Sequence, residues 1–182
     1  MKTRSICTNL LNAAAIAIAI FITACQAPAE IMTAEQLRVF NDKIVQMWNN
    51  TNPALADELC NADYKRSSPA GTTNNLGEFK QHLAGVRSVW SNINLTINEA
   101  YLNGDKLITQ WTWTATNTGL LAEGMLPATG KFVSINGISI TRIKDGKMSD
   151  ELAVWDNLDS NQQLGFTLAP PAAETTNEGD VE

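Results

Sequence analysis

The spacing of the apolar residues changes once along this chain, after Ser91-Asn92, and this change constrains the fold most strongly. Before it, apolar side chains recur every three or four residues, which is the period of a helix with one buried face. Thr33 and Gln36 form a capping-box pattern before the first helix, and Asn52-Pro53 predicts the start of a short second helix through Cys60. The apolar stripes of the first and third helices are Leu37, Phe40, Ile44, Met47 and Trp48, and then Phe79, Leu83, Val86 and Trp90.

After the change, apolar residues alternate with polar ones, which is the pattern of antiparallel strands with one packed face. Asn103-Gly104-Asp105 and Lys144-Asp145-Gly146-Lys147 predict hairpin turns. A third strand of this region covers 132–143, with a bulge expected at Asn136-Gly137, and a last strand runs from Met148 to about Asp156. The strand after the first hairpin carries on one face Leu107, Thr109, Trp111, Trp113 and Ala115.

Helices followed by a strongly bent meander of strands predict an α+β fold. We expect a cone-shaped half-barrel, with the N-terminal helices packed in the concave face of a bent antiparallel sheet and a pocket at the open end. The domain is assigned to residues 33–167. The tail, 168–182, is acidic and has no large apolar residue beyond Pro170-Pro171, so it is predicted to be disordered.

The N-terminal segment predicts export. Lys2 and Arg4 precede a stretch without a polar side chain from Ala13 to Ile22, and small residues follow, as in a secretory signal peptide. Ile22-Thr23-Ala24-Cys25 is similar to the lipobox of bacterial lipoproteins. Residues 1–24 are therefore predicted to be removed, and 25–32 to be a tether whose Cys25 carries a lipid such as palmitate. The protein would then be anchored to a bacterial membrane, either the outer or the cell membrane. An ordinary cleaved signal with an incidental cysteine is the less favoured alternative.

Charge and cysteine content exclude several classes of protein. The chain has a formal net charge of −6 at pH 7, so phosphate groups would be repelled and no nucleic acid partner is expected. Cys60 is the only thiol left after Cys7 and Cys25, and its helical context predicts a small buried hydrophobe. His82, the single histidine, lies beside the apolar stripe of its helix and is predicted at the solvent edge. One histidine and one thiol without ligand spacing predict no metal site, and no phosphate-binding loop is found.

Short motifs in shared order resemble the SnoaL-like polyketide cyclases of the nuclear transport factor 2-like superfamily. The resemblance runs from Trp48 to Gly165. Its clearest pieces are Asp63-Tyr64, Asp145-Gly146-Lys147, Trp155-Asp156-Asn157-Leu158 and Gln162-Gln163-Leu164-Gly165. The best-understood relatives close a ring by intramolecular aldol condensation without metal or cofactor, using an aspartate as general acid/base. The resemblance places that aspartate at Asp156. In this superfamily exposed sheet faces often pair, so a homodimer is also expected.

The residues themselves leave the role of Asp156 open. A period of two puts Asp156 on the apolar strand face with Met148, Leu152 and Val154, where lost hydration would raise its pKa toward the range useful for proton transfer. Equally, an aspartate at this position caps the helix that follows a strand. The histidines that relatives carry after the Asp63-Tyr64 motif and before the long loop are replaced here, which weakens the prediction of catalysis.

The sequence and the resemblance leave two functions open. One is a cofactor-free cyclase or isomerase that uses Asp156 on a small apolar or aromatic molecule. The other is a lipoprotein that binds such a molecule at the membrane without catalysis. Each candidate ligand contact has a structural alternative as core, turn or backbone partner. These candidate contacts are Tyr64, Trp111, Trp113, Asn117 and Asn136.

Overall fold

The computed structural model describes residues 32–49, 52, 54–121 and 126–169. The predicted signal peptide, Cys25 and most of the tether lie outside the described residues, as does the tail from residue 170. The helices are α1 (Ala34–Trp48), α2 (Leu55–Leu59), α3 (Leu76–Val89) and α4 (Asn157–Leu164). The strands are β1 (Cys60–Ser68), β2 (Gly71–Thr73), β3 (Trp90–Asn103), β4 (Lys106–Asn117), β5 (Phe132–Lys144) and β6 (Lys147–Trp155).

The first two helices were predicted from the residues at their N-termini, with different outcomes. The predicted capping box of α1 is confirmed: the Thr33 hydroxyl accepts from the Gln36 amide, and the Gln36 side chain accepts from the Thr33 amide. The prediction for α2 was wrong at both ends. Asn52 accepts a turn hydrogen bond from the Leu55 amide, so the helix begins after that turn, and Cys60 already belongs to β1.

The six strands form one bent, unclosed sheet in the order β2-β1-β6-β5-β4-β3. The α+β fold class is therefore confirmed. One detail differs from the antiparallel expectation, because β1 pairs with β6 in parallel. A parallel pair needs a long crossover, and here the crossover contains α3 and the β3–β5 meander.

Strand β5 corrects the predicted bulge. Its burial alternates without interruption from Phe132 to Lys144, and its pairing with β4 continues in register through Asn136 and Gly137. The apolar residues do pass from one face to the other here, but without a bulge. Val133 and Ile135 lie inside and Ile138 and Ile140 outside, so both faces of the regular strand carry apolar side chains.

A bulge does occur in β6. Ile143 pairs with Met148, whereas Arg142 pairs with Asp150, so Ser149 is the extra residue. An extra residue exchanges the two faces of a strand, because side chains alternate with a period of two. Beyond the bulge the outward residues are Asp150, Leu152 and Val154, and the inward ones are Glu151, Ala153 and Trp155.

Two apolar clusters fill the concave side of the sheet. The larger one joins the helices to the sheet and includes Met47, Tyr64 and Phe79, all fully buried. The smaller one is centred on Leu95, Trp111 and Ile135. Cys60 belongs to the larger cluster, as predicted. Burial, reinforced by the nearby Glu151 carboxylate, raises the pKa of its thiol to about 12, so it stays protonated and is not a nucleophile.

Candidate functional site

A cavity of about 250 Å³ lies on the concave side of the sheet. Helices α1 and α3, the inner faces of the sheet and α4 supply its walls. All five tryptophans of the chain line it, which concentrates the largest aromatic side chains in one place. These are Trp48, Trp90, Trp111, Trp113 and Trp155.

The tryptophans are held by contacts with each other and with the sheet. Trp90 and Trp113 meet edge to face at 5.3 Å between ring centroids, and Trp111 meets Trp155 at 6.1 Å. The Trp111 indole N–H donates to the Ser139 hydroxyl at 3.1 Å. The structure thus places the predicted ligand contacts Trp111 and Trp113 in the cavity wall.

Polar side chains cross the inner face of the sheet as a continuous band. Arg66 on β1 stands opposite Glu151 on β6, and Glu151 stands opposite Thr141 on β5. One step along, Ser139 on β5 stands opposite Thr109 on β4. All five line the cavity. Strand register, and not closeness in sequence, therefore brings them together.

Glu151 is the centre of this band. Its carboxylate accepts hydrogen bonds from the Tyr64 hydroxyl and, at 2.9 Å, from the Ser139 hydroxyl. The Nε of Arg66 lies 3.6 Å from a Glu151 oxygen, and the two side chains are only 7% and 10% exposed. The Arg66 guanidinium also stacks over Trp48 at 5.3 Å. Arg66 and Glu151 therefore form an ion pair that is almost fully shielded from solvent, and each carboxylate oxygen of Glu151 accepts a hydrogen bond.

Tyr64 donates its hydrogen bond to Glu151 from within the apolar core. Its ring is fully buried against Phe79, with centroids 4.9 Å apart. Burial first, and then the Glu151 carboxylate, raises the pKa of Tyr64 well above its ordinary value. Tyr64 is therefore a permanent donor to Glu151 and does not itself line the cavity.

His82 corrects a prediction. It is half-buried and lines the cavity, with its ring 6.4 Å from Trp48 and 6.5 Å from Phe79. Burial, together with the positive charge of Arg66, lowers the pKa of His82, and Glu151 opposes this shift. His82 was predicted at the solvent edge because it lies beside the apolar stripe of its helix. That position faces the cavity instead of bulk solvent, because the cavity lies next to the apolar core.

We expect the lowered pKa of His82 to make the stability depend on pH. In the unfolded chain a histidine titrates at about pH 6.5, so the unfolded chain binds the proton first as pH falls. The free energy of unfolding should then be largest above about pH 6.5 and decrease below it. Urea titrations between about pH 7.5 and about pH 5.5 measure this decrease, which should be smaller in His82→Leu. Arg66, Glu151 and Tyr64 are the same in the wild type and in His82→Leu. If the free energy of unfolding depends on pH equally in both proteins, His82 is not the group responsible.

Asp156 does not lie in the cavity wall. It is exposed, and its carboxylate accepts from the Asp159 amide at 2.9 Å as the N-cap of α4. The prediction of an apolar strand face was wrong because the Ser149 bulge shifts the register, and Leu152 and Val154 point outward. The capping alternative is the one that the structure displays.

Two predicted polar contacts have structural roles instead. Asn117 is fully buried and its amide donates to Val89 and Gly119 while its oxygen accepts from the Thr129 amide. Asn136 is exposed on the outer face, where it accepts from the Thr112 hydroxyl at 2.8 Å. Neither lines the cavity.

Sequence reasoning missed Glu151, Arg66 and Ser139. A usable signal was present for Glu151, because counting back by two from the aromatic Trp155 gives Ala153 and then Glu151 as inward residues. Counting forward from Met148 crosses the bulge and gives the wrong face.

The described residues offer neither a metal cluster nor a membrane-spanning helix. No three His, Cys, Asp or Glu side chains are grouped in them as metal ligands. None of their helices is long and apolar enough to span a bilayer.

The fold defines a small α+β domain of the nuclear transport factor 2-like type, with a cavity of about 250 Å³ on the concave side of its sheet. The model of the SnoaL-like polyketide cyclases matches residues 36–164. The chain therefore belongs to this family. No curated protein matches the chain.

Solved structures share the fold at low sequence identity. TsrD from Streptomyces laurentii is 22% identical with a TM-score of 0.66, over 74% of this chain and 98% of that chain. A putative polyketide cyclase from Acidithiobacillus ferrooxidans is 18% identical with a TM-score of 0.62, over 74% and 98%. An LEH-like epoxide hydrolase from M. tuberculosis is 13% identical with a TM-score of 0.58, over 72% and 90%. At such identities the likeness concerns the fold alone.

Proposed function

We propose that this protein binds a small, flat and largely apolar molecule in its cavity. The observation that carries the proposal is the convergence of all five tryptophans on one pocket of about 250 Å³. Indole rings supply large apolar area at little entropic cost and stack on flat ligands. This volume lies just below the range of about 300–1,000 Å³ that is usual for sites of drug-sized ligands, so the cavity suits a smaller, bicyclic molecule.

Intrinsic fluorescence tests this proposal directly, because every tryptophan lines the cavity. We expect acetylnaphthalene, whose absorption overlaps indole emission, to quench the full-length chain saturably. Trp113→Leu should weaken binding by about tenfold, as expected for a lost aromatic contact of about 1.4 kcal/mol. Tyr101→Leu, an exposed aromatic change away from the cavity, is the matched control. Quenching that does not saturate, or equal affinities in both variants, would refute the proposal. Mass spectrometry of co-purifying molecules then identifies the natural ligand.

Cofactor-free acid/base chemistry is a second candidate function. It is favoured by one observation, the presence of a buried carboxylate and a buried guanidinium in the wall of a cavity that is lined mostly by apolar side chains. Such charges are costly to desolvate, and they concentrate at functional sites. In this proposal Glu151, rather than Asp156, exchanges a proton with carbon next to a carbonyl, as cyclisation by aldol condensation or isomerisation requires.

Deuterium exchange separates catalysis from binding alone. The methyl protons of acetylnaphthalene should exchange with heavy water faster in the presence of the protein than in buffer, as followed by NMR. Glu151→Gln should remove this acceleration, whereas Asp156→Asn, which keeps a good helix cap, should retain it. Binding without acceleration would leave the ligand-binding function and eliminate the acid/base one.

We propose in addition that the domain is carried to a bacterial membrane as a lipoprotein. The support is the order of charged, apolar and small residues before Cys25. Intact-mass spectrometry of the membrane fraction should show a chain that begins at Cys25 and carries acyl groups. Cys25→Ser should abolish the added mass. An unmodified chain in the wild type would eliminate this proposal.

A homodimer through the outer sheet face is the remaining proposal. Ile138, Ile140, Leu152 and Val154 form two cross-strand pairs there and are 43–49% exposed. Arg142 and Asp150 flank them in register, so a two-fold related copy would meet opposite charges. Light scattering should give a dimer that Val154→Lys dissociates and Thr96→Lys, on the exposed part of β3, does not. A monomeric wild type would contradict it.

A further inference from the structure

The outer face of the sheet has an apolar half and a polar half. The apolar half lies on β5 and β6 and is the surface of the proposed dimer. The polar half is built from two rows of side chains that run in register across β3, β4 and β5. All six side chains of these polar rows are exposed or half-buried, and none of them is ionisable. The polar rows are Asn94, Thr114 and Ser134, and then Thr96, Thr112 and Asn136.

The residue types on this half of the face are not explained by strand formation. Asparagine is depleted in strands, where threonine and valine are favoured, yet Asn94, Asn98 and Asn136 all lie within strands. A solvated protein surface usually carries many charged side chains, and the polar rows have none. These positions therefore carry side chains suited to hydrogen bonding with a partner outside the domain.

A chain of hydrogen bonds fixes two of these amides. The Asn98 amide donates to the Thr112 hydroxyl at 2.9 Å, and this hydroxyl donates to the Asn136 oxygen at 2.8 Å. The chain uses neither the oxygen of Asn98 nor the NH2 group of Asn136, and both residues are exposed. An acceptor and a donor group thus face solvent in fixed positions, which lowers the entropic cost of binding a partner.

Asn49 blocks the free edge of β3 beside the polar rows. Strand β3 is the outermost strand of the sheet. The Asn49 oxygen accepts from the Leu95 amide at 2.6 Å, and its NH2 group donates to the Leu95 oxygen at 3.3 Å. An unprotected edge would otherwise pair with an added strand. A partner at this place therefore meets the side chains of the outer face and not the backbone of the edge.

The composition of the polar rows indicates the class of partner. The residues that contribute most to protein–protein binding are tryptophan, tyrosine and arginine, and the rows contain none of them. Nucleic acids need cations to neutralise their phosphates, and a membrane surface needs a larger apolar area. Each hydroxyl group of a sugar both donates and accepts, as the side chains of the rows do. An uncharged chain of sugars is the partner that matches this surface.

An exposed aromatic ring lies at one end of the polar rows. Phe132 is 61% exposed on the outer face of β5, two residues before Ser134. An aromatic ring offers a large, rigid apolar surface, on which the C–H face of a sugar ring can pack while its hydroxyls reach neighbouring polar groups. From Phe132 to Asn136 the strand extends by about 14 Å, at about 3.4 Å per residue. The surface is therefore long enough for several sugar rings in a row.

We infer that the outer face of β3, β4 and the first part of β5 binds a neutral polysaccharide chain. Phe132 stacks on one sugar ring, and the amides of Asn98 and Asn136 exchange hydrogen bonds with the hydroxyls of the next rings. The site is on the opposite side of the sheet from the cavity and does not depend on what the cavity binds.

Calorimetric titration of the full-length chain tests this inference with defined oligosaccharides. The probes are cellohexaose, chitohexaose and maltohexaose, which are uncharged, and dextran sulfate, which is anionic. We expect at least one uncharged probe to bind, with an affinity that is the same at low and at high salt because no charges are involved. Dextran sulfate should not bind.

Substitutions in the polar rows locate the site. Thr112→Val/Asn136→Val removes the fixed amide and hydroxyl while keeping residues that favour strands, and it should weaken binding about tenfold or more. Phe132→Leu should weaken it about fivefold through the lost ring. Ser67→Val/Thr72→Val, an exposed pair on β1 and β2, is the matched control and should bind as the wild type does.

Three results would overturn the inference. The first is that none of the uncharged oligosaccharides binds to the wild type. The second is that the double variant in the polar rows binds as tightly as the Ser67→Val/Thr72→Val control, because the sugar would then be held elsewhere. The third is that dextran sulfate binds more tightly than every uncharged probe, which would indicate an anionic polymer as the partner.

Discussion

Replacing Glu151 by alanine is expected to lower the free energy of unfolding by about 3–5 kcal/mol, the cost of removing one partner from a buried ion pair. Arg66 would keep its charge at a position where its side chain is 7% exposed. The Tyr64 and Ser139 hydroxyls would lose their acceptor. Urea unfolding followed by tryptophan fluorescence measures the change.

Two further variants make this expectation specific. Glu151→Leu combined with Arg66→Met removes both charges, so much of the lost stability should return. Lys80→Ala breaks an exposed ion pair with Asp57 and should cost less than about 1 kcal/mol. If Glu151→Ala costs no more than Lys80→Ala, the buried network does not stabilise the domain. If the double variant is as unstable as the single one, the loss does not come from the unpaired charge.

The second large effect is expected at Gly137. This glycine lies on the inner face directly opposite Trp111. A Cβ atom there would overlap with the Trp111 ring and would come within 2.7 Å of the Val154 carbonyl oxygen. Gly137→Ala must therefore displace Trp111, which also breaks its hydrogen bond to Ser139. We expect the free energy of unfolding to fall by about 3 kcal/mol, the upper end for overpacking in a core, together with a change in the cavity wall that Trp111 forms.

Gly85→Ala is the matched control, since it makes the same chemical change where a Cβ atom has nothing within 4 Å. Gly85 is inside α3, so alanine should stabilise the protein by roughly 0.5–1 kcal/mol. Chemical denaturation gives both values, and near-ultraviolet circular dichroism reports the displaced indole. A Gly137→Ala protein with wild-type stability and an unchanged tryptophan spectrum would contradict this prediction. It would show that the backbone of the sheet shifts to accommodate the Cβ atom and leaves Trp111 in place.

The family could be recognised from the sequence because its evidence is local. Capping residues, hairpin turns and the change from a helical to a strand period each depend on neighbours a few residues apart. The capping box at Thr33 and the inward face of β4 with Trp111 and Trp113 were predicted in this way and are confirmed. Lipid attachment at Cys25 depends on equally local residues and stays a prediction.

The candidate site could be predicted only in part. Trp111 and Trp113 line the cavity because β4 is regular and the period of two holds along it. Glu151 replaces Asp156 as the carboxylate of the cavity because one extra residue at Ser149 shifts the register of β6. The apolar pattern could not reveal that shift, since β6 carries apolar side chains on both faces.

The sequence by itself therefore determined the α+β class, the family and the meander from β3 to β6, because those features follow from interactions between near neighbours along the chain. It placed the helices before the strands, whereas β1 and β2 lie between α2 and α3. Only the tertiary structure decided which polar side chains form one band across the inner face of the sheet, namely Arg66, Thr109, Ser139, Thr141 and Glu151. It also decided that His82 faces the same cavity. Their juxtaposition depends on the parallel pairing of β1 with β6 and on a single bulge. Both are set by packing between segments that are distant in sequence.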